Sequence, residues 1–155
     1  MEKMSICLWF HHEAEEAARF YTGIFKNSEI TDITRNTERS PVGTEGSVLT
    51  VSFTINDQVF LGLNGGSTYQ FNPAMSIVVT CQTQKEVDCY YEKLQEGGGQ
   101  EMACGWVTDR YGVSWQVVPE ILPRLLAGED RKRADRVMRV MMQMKKLVIV
   151  EVERP

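Results

Sequence analysis

CGWVTDRYGVSWQVV, residues 104–118, reads as a strand, a tight Asp109-Arg110-Tyr111-Gly112 turn, and a second strand carrying Gln116 near its end. Glycine closing a four-residue turn between two apolar runs is a hairpin signal. Side chains of opposite parity on a strand point to opposite faces. Trp115 and Gln116 therefore cannot line the same surface: if Gln116 faces a pocket, Trp115 packs beneath helices.

Upstream, residues 75–81 (MSIVVTC) form a strand-length apolar run. Val87, Tyr90, Tyr91 and Leu94 recur at helical spacing, and Gly97-Gly98-Gly99 supplies a C-terminal stop. Residues 102–107 then make the strand that enters the hairpin. The same order occurs earlier. Residues 4–10 (MSICLWF) read as a strand, and Ala14, Ala17, Ala18, Tyr21, Ile24 and Phe25 mark one face of a helix. Residues 28–36 suit a second strand and residues 37–46, with Pro41, Gly43 and Gly46, a loop. Residues 47–55 alternate Val48, Thr50, Ser52, Thr54 against Leu49, Val51, Phe53, Ile55, and an Asn56-Asp57 turn leads into residues 58–63. That is a hairpin with one polar and one apolar face. A shift of 71 positions lays Met4-Ser5-Ile6 on Met75-Ser76-Ile77, Glu15 on Glu86 and Phe20 on Tyr91. The repeat is carried mainly by the order of elements.

These patterns predict an α+β protein of tandem βαβββ modules in residues 1–120, with halves of about 1–66 and 73–120. A C-terminal helical extension follows over residues 121–155. In it Ala134, Val137, Met138, Met141, Met142 and Met144 trace a Met-rich helix, while residues 147–152 could extend as a strand. A flexible methionine surface suits the cover of a pocket, a second subunit, or ordinary packing on the chain's own sheet.

Composition narrows the function. The 155 residues are 43% hydrophobic, enough for a packed core without staples. With 17 basic against 21 acidic residues, net charge is −4, and the one dense basic run, Arg131-Lys132-Arg133, follows Glu129-Asp130. Nucleic acid is not the expected partner. No early apolar stretch approaches a membrane span, and Met1-Glu2-Lys3 leads directly into the first strand, so a cytoplasmic protein is expected. Cys7, Cys81, Cys89 and Cys104 lack C-x-x-C spacing and read as reduced thiols, with Cys104 beside Gly105 and Trp106 the candidate pocket thiol. His11 and His12, the only histidines, fall in a strand-to-helix connection near Glu13, Glu15 and Glu16. On extended backbone they diverge, which favours a solvated helix start over a shared metal. Trp9, Trp106 and Trp115 lie on expected strands, where core packing competes with a site role.

Leu8-Trp9-Phe10 followed by Glu15-Glu16-Ala17 and Phe20-Tyr21, the Leu63-Asn64-Gly65-Gly66 turn, and the Cys104-Gly105-Trp106 to Ser114-Trp115-Gln116 segment together carry a resemblance. The chain resembles the PhnB-like branch of the vicinal oxygen chelate (glyoxalase/bleomycin resistance/dihydroxybiphenyl dioxygenase) superfamily, also called the 3-demethylubiquinone-9 3-methyltransferase family. The match runs from about residue 4 to residue 145. The resemblance implies a curled sheet, commonly in a homodimer, that in many relatives holds a divalent metal through His, Glu or Gln from four strands. Residues 4–10, 58–66 and 75–81 offer no His, Glu or Asp, and the last strand places Gln116 where a glutamate is usual. One neutral amide does not hold a divalent ion against water. The expectation is no metal and no other cofactor, with a small organic ligand held by Trp9, Asn64, Cys104, Trp106 and Gln116. A metal-independent enzyme or its relic, and a bleomycin-resistance-type binding protein, both fit. Methyl transfer, as in the family label, finds no strand–glycine loop–helix motif here.

Overall fold

A computed structural model describes residues 3–155. The expectation that Met1 and Glu2 lead directly into the first strand lies outside the described residues. The chain forms two compact units that divide between Phe71 and Asn72.

The first unit runs β1 (Ile6–Phe10), α1 (Ala14–Ile24), β2 (Ser28–Arg35), β3 (Val48–Ile55) and β4 (Gln58–Asn64). Its sheet has the order β1-β4-β3-β2, with β1 parallel to β4 and the other pairs antiparallel. Asn56 and Asp57 both take positive φ, 47° and 68°, as a two-residue type I′ hairpin demands. Helix α1 packs on β3, β2 and β4. Its small Ala14, Ala17 and Ala18 let the helix approach the sheet, and they are buried with Tyr21, Phe10, Val51, Phe53 and Phe60. The apolar parity of the hairpin, seen in the sequence, is the helix-covered face. A bulge at Thr31 lets Ile30 pair with Phe53 and Ile33 with Val51, so both isoleucines reach that face despite their odd spacing.

The second unit repeats the plan: β5 (Ser76–Cys81), α2 (Gln84–Leu94), β6 (Gln100–Glu101), β7 (Trp106–Thr108) and β8 (Ser114–Pro119), in the order β5-β8-β7-β6 with β5 parallel to β8. Thr83 caps α2 by accepting from Glu86 N at 3.2 Å, while the Glu86 carboxylate accepts from Gln82 N at 2.7 Å, a close variant of the capping box. The identical strand order in both units establishes the tandem repeat that few sequence identities could carry. The 71-residue offset fits the first strand, the helix and the start of β2, which it lays on β6, and fails from β3 onward, because the second unit has no counterpart of the long β2–β3 loop.

Three expectations are corrected. The strand expected over residues 102–107 is only three residues long, Trp106–Thr108; ahead of it Cys104 and Gly105 turn with φ of 59° and 82°. The expected strand over residues 147–152 is instead a short helix, α5 (Ile149–Glu153). Residues 147–149 pair with a side chain: Gln84 Nε2 donates to Leu147 O at 3.1 Å and Gln84 Oε1 accepts from Ile149 N at 2.8 Å. The amide stands in for a neighbouring strand, and Leu147 and Val152 are drawn into a small core with Leu122, Val137 and Met144. Finally, the extension holds three helices: α3 (Ile121–Ala127), unforeseen, α4 (Arg131–Met141), ending short of Met144, and α5. The methionines do not share one face. Met144 is buried, whereas Met138 and Met142 are exposed.

Candidate functional site

Each unit covers one face of its sheet with its principal helix, α1 or α2; the opposite face carries no such helix, although in the second unit Val118, at the end of that face, packs against the core of the C-terminal helices. In the first unit, pairing register arranges the uncovered face in rungs. Trp9, Leu63, Thr50 and Thr34 form one rung, Cys7, Leu61, Ser52 and Asp32 the next, and Val59, Thr54 and Glu29 a third. A hydroxyl contact of 2.5 Å between Thr34 and Thr50 agrees with the shared face. Cys7 is exposed as a side chain, yet packing withdraws enough water from its sulfur to raise its pKa.

In the second unit the uncovered face has Val78, Gln116 and Trp106 on one rung, with Ser76, Ser114 and Thr108 beside it. Gln116 Nε2 donates to Ser76 Oγ at 2.9 Å, which fixes the amide and leaves its oxygen as an acceptor. Trp115 points the other way and is 1% exposed. Its indole donates to Asp109 Oδ2 at 2.9 Å, and Asp109 Oδ1 accepts from Tyr111 N at 2.9 Å and Val113 N at 3.0 Å. The buried carboxylate is the organising centre of the turn that decided the sequence reading.

The five expected ligand contacts have different places. Trp106 and Gln116 are cross-strand neighbours on the uncovered face of the second sheet. Trp9 lies on the uncovered face of the first. Its ring also anchors a turn: Nε1 donates to Gly66 O at 2.9 Å, a Cβ on Gly65 would stand 2.3 Å from the indole, and Tyr69 meets it edge-on. Asn64 lies on the helix side of β4, where Oδ1 accepts from Ala14 N at 2.9 Å and Nδ2 donates to Val48 O at 3.0 Å. It caps α1 from a distant strand, since α1 has no side-chain cap of its own. Cys104 is half-buried in the turn ahead of β7, and its backbone N–H donates to Met144 O at 2.9 Å; Gly105 N donates to Lys145 O at 2.7 Å. A Cβ on Gly105 would lie 2.8 Å from Val117 O and 2.9 Å from Leu147 Cδ1. The Cys-Gly step thus docks the C-terminal extension. His11 and His12 are exposed at the start of α1.

Cys7, Leu61, Leu63, Thr50 and Ser52, which share this first-sheet face, are not among the five contacts expected from the sequence. The alternation of residues 4–10 and the polar face of the hairpin contain the signal, but only strand register assembles them.

Among the described residues no three His, Cys, Asp or Glu side chains group to hold a metal. The Ser76 hydroxyl bonds Gln116, and Ser114 and Thr108 share its face; these oxygens are all neutral, so this set does not fit a divalent ion. Strongly raised pKa values lie elsewhere. Cys81 is pushed up to about 12 by burial, then by Glu86 and Cys89; Tyr91 reaches about 12 through burial and then Glu101. A depression of about 660 Å³ at the strand ends, lined by Lys3, Met4, Ile6, Asp57 and Val59 among others, contains none of the five expected contacts. Among the described residues no helix is long and apolar enough to cross a membrane.

The 3-demethylubiquinone-9 3-methyltransferase family matches residues 2–118. A PhnB protein from Bacillus cereus, provisionally described as a 3-demethylubiquinone-9 3-methyltransferase, is 38% identical, with a TM-score of 0.68 over 76% of this chain and 99% of its own. Two more distant structures share the fold. A Pseudomonas aeruginosa protein has TM-score 0.62 at 17% identity, covering 77% of this chain and 98% of its own. A glyoxalase-related enzyme from Fulvimarina pelagi has TM-score 0.50 at 15% identity, covering 78% and 91%. No curated protein matches.

Proposed function

Because this chain belongs to the 3-demethylubiquinone-9 3-methyltransferase (PhnB-like) family of glyoxalase-like, vicinal oxygen chelate proteins, we propose that it binds a small organic molecule on an uncovered sheet face without a divalent metal. The observation carrying this reading is the Val78–Gln116–Trp106 rung beside Ser76, an amide placed between apolar side chains and bonded to a neutral hydroxyl. A metal-chelating relative needs anionic or imidazole donors at such a place. A fixed amide oxygen next to an indole instead suits an aromatic or planar ligand with a hydrogen-bond donor.

Binding without turnover is favoured over catalysis. Neither Gln116 nor its neighbouring hydroxyls supplies a general base, and the groups with strongly raised pKa values, Cys81 and Tyr91, are not on this face. Methyl transfer gains no support from the strand-to-helix turns. These are His11-His12-Glu13, Gln82-Thr83 and Glu120, none of which offers the glycine approach a nucleotide-like cofactor uses. Native mass spectrometry of protein purified from cells tests the proposal. A retained organic mass that Gln116→Ala releases supports it, whereas a ligand retained equally by that variant and by Trp106→Ala overturns the assignment.

A further inference from the structure

The uncovered face of the first sheet is graded from edge to edge. Strands β1 and β4 contribute Cys7, Trp9, Leu61 and Leu63, β3 contributes Thr50, Ser52 and Thr54, and β2 contributes Glu29, Asp32 and Thr34. Each rung passes from apolar side chains, through a hydroxyl, to a carboxylate or a second hydroxyl. The bulge at Thr31 creates the acidic margin: it keeps Ile30 and Ile33 on the helix side while Glu29 and Asp32 stay on the uncovered side. Asp32 and Glu29 are exposed, in register with Ser52 and Thr54. The neighbouring cation, Arg35, donates from Nη1 to Gly46 O at 3.0 Å at the strand's end.

We propose that this face takes an amphipathic organic cation. Its apolar body lies over Leu61, Leu63 and Trp9, its polar middle meets Thr50 and Ser52, and its cationic end reaches Asp32 and Glu29. Strands are about 4.8 Å apart, so Leu61 and Asp32 are separated by roughly 10 Å across two spacings. The occupant is therefore an elongated molecule with charge at one end, not a compact ion. Burial of apolar body supplies affinity, and the charge selects among molecules of equal size. This inference rests on the reading of the protein as a small-molecule binder and adds the ligand's charge and polarity.

Phenylbutylammonium, phenylbutanol and phenylbutyrate, equal in shape and different in head group, test it in NMR titrations. Expected is a shift of the Trp9 indole and the Leu61 and Ser52 amides, with the ammonium probe roughly tenfold tighter than the carboxylate probe. The preference shrinks in high salt and disappears in Asp32→Asn/Glu29→Gln, which changes only exposed positions and leaves phenylbutanol binding intact. Equal affinities across the trio, or a preference that survives the double substitution, overturns the cationic assignment while leaving small-molecule binding standing. Shifts confined to residues away from both uncovered faces would overturn both.

Discussion

Replacing Asp109 by Asn changes no volume, yet it should be costly. The carboxylate is 3% exposed and accepts from two backbone N–H groups on one oxygen and from the Trp115 indole on the other. An amide has one acceptor end. If its oxygen keeps Tyr111 N and Val113 N, its NH2 confronts the Trp115 N–H; if it flips, two backbone donors lose their partner. A buried donor left unsatisfied costs about 1–3 kcal/mol, and the surviving bonds lose their charge assistance. The sum is about 2–4 kcal/mol, measured by urea unfolding followed by far-ultraviolet circular dichroism. In a Trp115→Phe background the donor–donor conflict is gone, so the same Asp109→Asn change should cost only about 1 kcal/mol more. Additive costs in the two backgrounds, or an Asp109→Asn penalty below about 1 kcal/mol, would refute the view that this carboxylate organises the turn through the indole.

Asn64→Ala should lose about 1–2 kcal/mol by uncapping α1 and freeing Val48 O, while Asn64→Asp, which keeps the acceptor for Ala14 N, should lose less; thermal unfolding ranks the two. Gly105→Ala should weaken the hold on the C-terminal extension, because its Cβ meets Val117 O and Leu147, and limited proteolysis should then cut within residues 121–155 before the rest of the chain. Cys81 and Tyr91, both raised to about 12 in the folded protein, favour folding while protonated. Unfolded thiols and phenols ionise near pH 8.5 and 10, so this stability is complete below about pH 8.5 and is lost as pH rises towards 12. Cys81→Ala should flatten the alkaline decline in denaturant midpoints, and an unchanged slope would contradict the burial argument.

Legibility in the sequence followed the range of the forces involved. The Asn56-Asp57 turn, both principal helices and the opposite facing of Trp115 and Gln116 depend on short-range periodicity, and the structure has all of them. Asn64 is an expected ligand contact through the Leu63-Asn64-Gly65-Gly66 turn, one of the segments that carry the resemblance. Its partners, Ala14 N and Val48 O, are brought together only by the parallel pairing of β1 with β4. Cys104 reads as a candidate pocket thiol from its place beside Gly105 and Trp106; that its N–H also donates to Met144 O, forty positions away in sequence, is encoded in no local pattern. Residues 147–152 have strand-like composition and no strand to join; the Gln84 amide occupies that role, which no local pattern encodes. The graded face was half visible as hairpin alternation. The Thr31 bulge, which decides where Asp32 points, emerges only from register.

Metal content tests the central claim most directly. Protein purified with neither chelator nor affinity metal, dialysed and analysed for manganese, iron, nickel and zinc, should carry each well below one ion per chain. Added metal should leave its unfolding midpoint unchanged, since binding to the folded state alone would raise it. A stoichiometric ion that Gln116→Ala removes would contradict the account, because a neutral amide among hydroxyls would then be holding the metal that this donor set is argued not to fit.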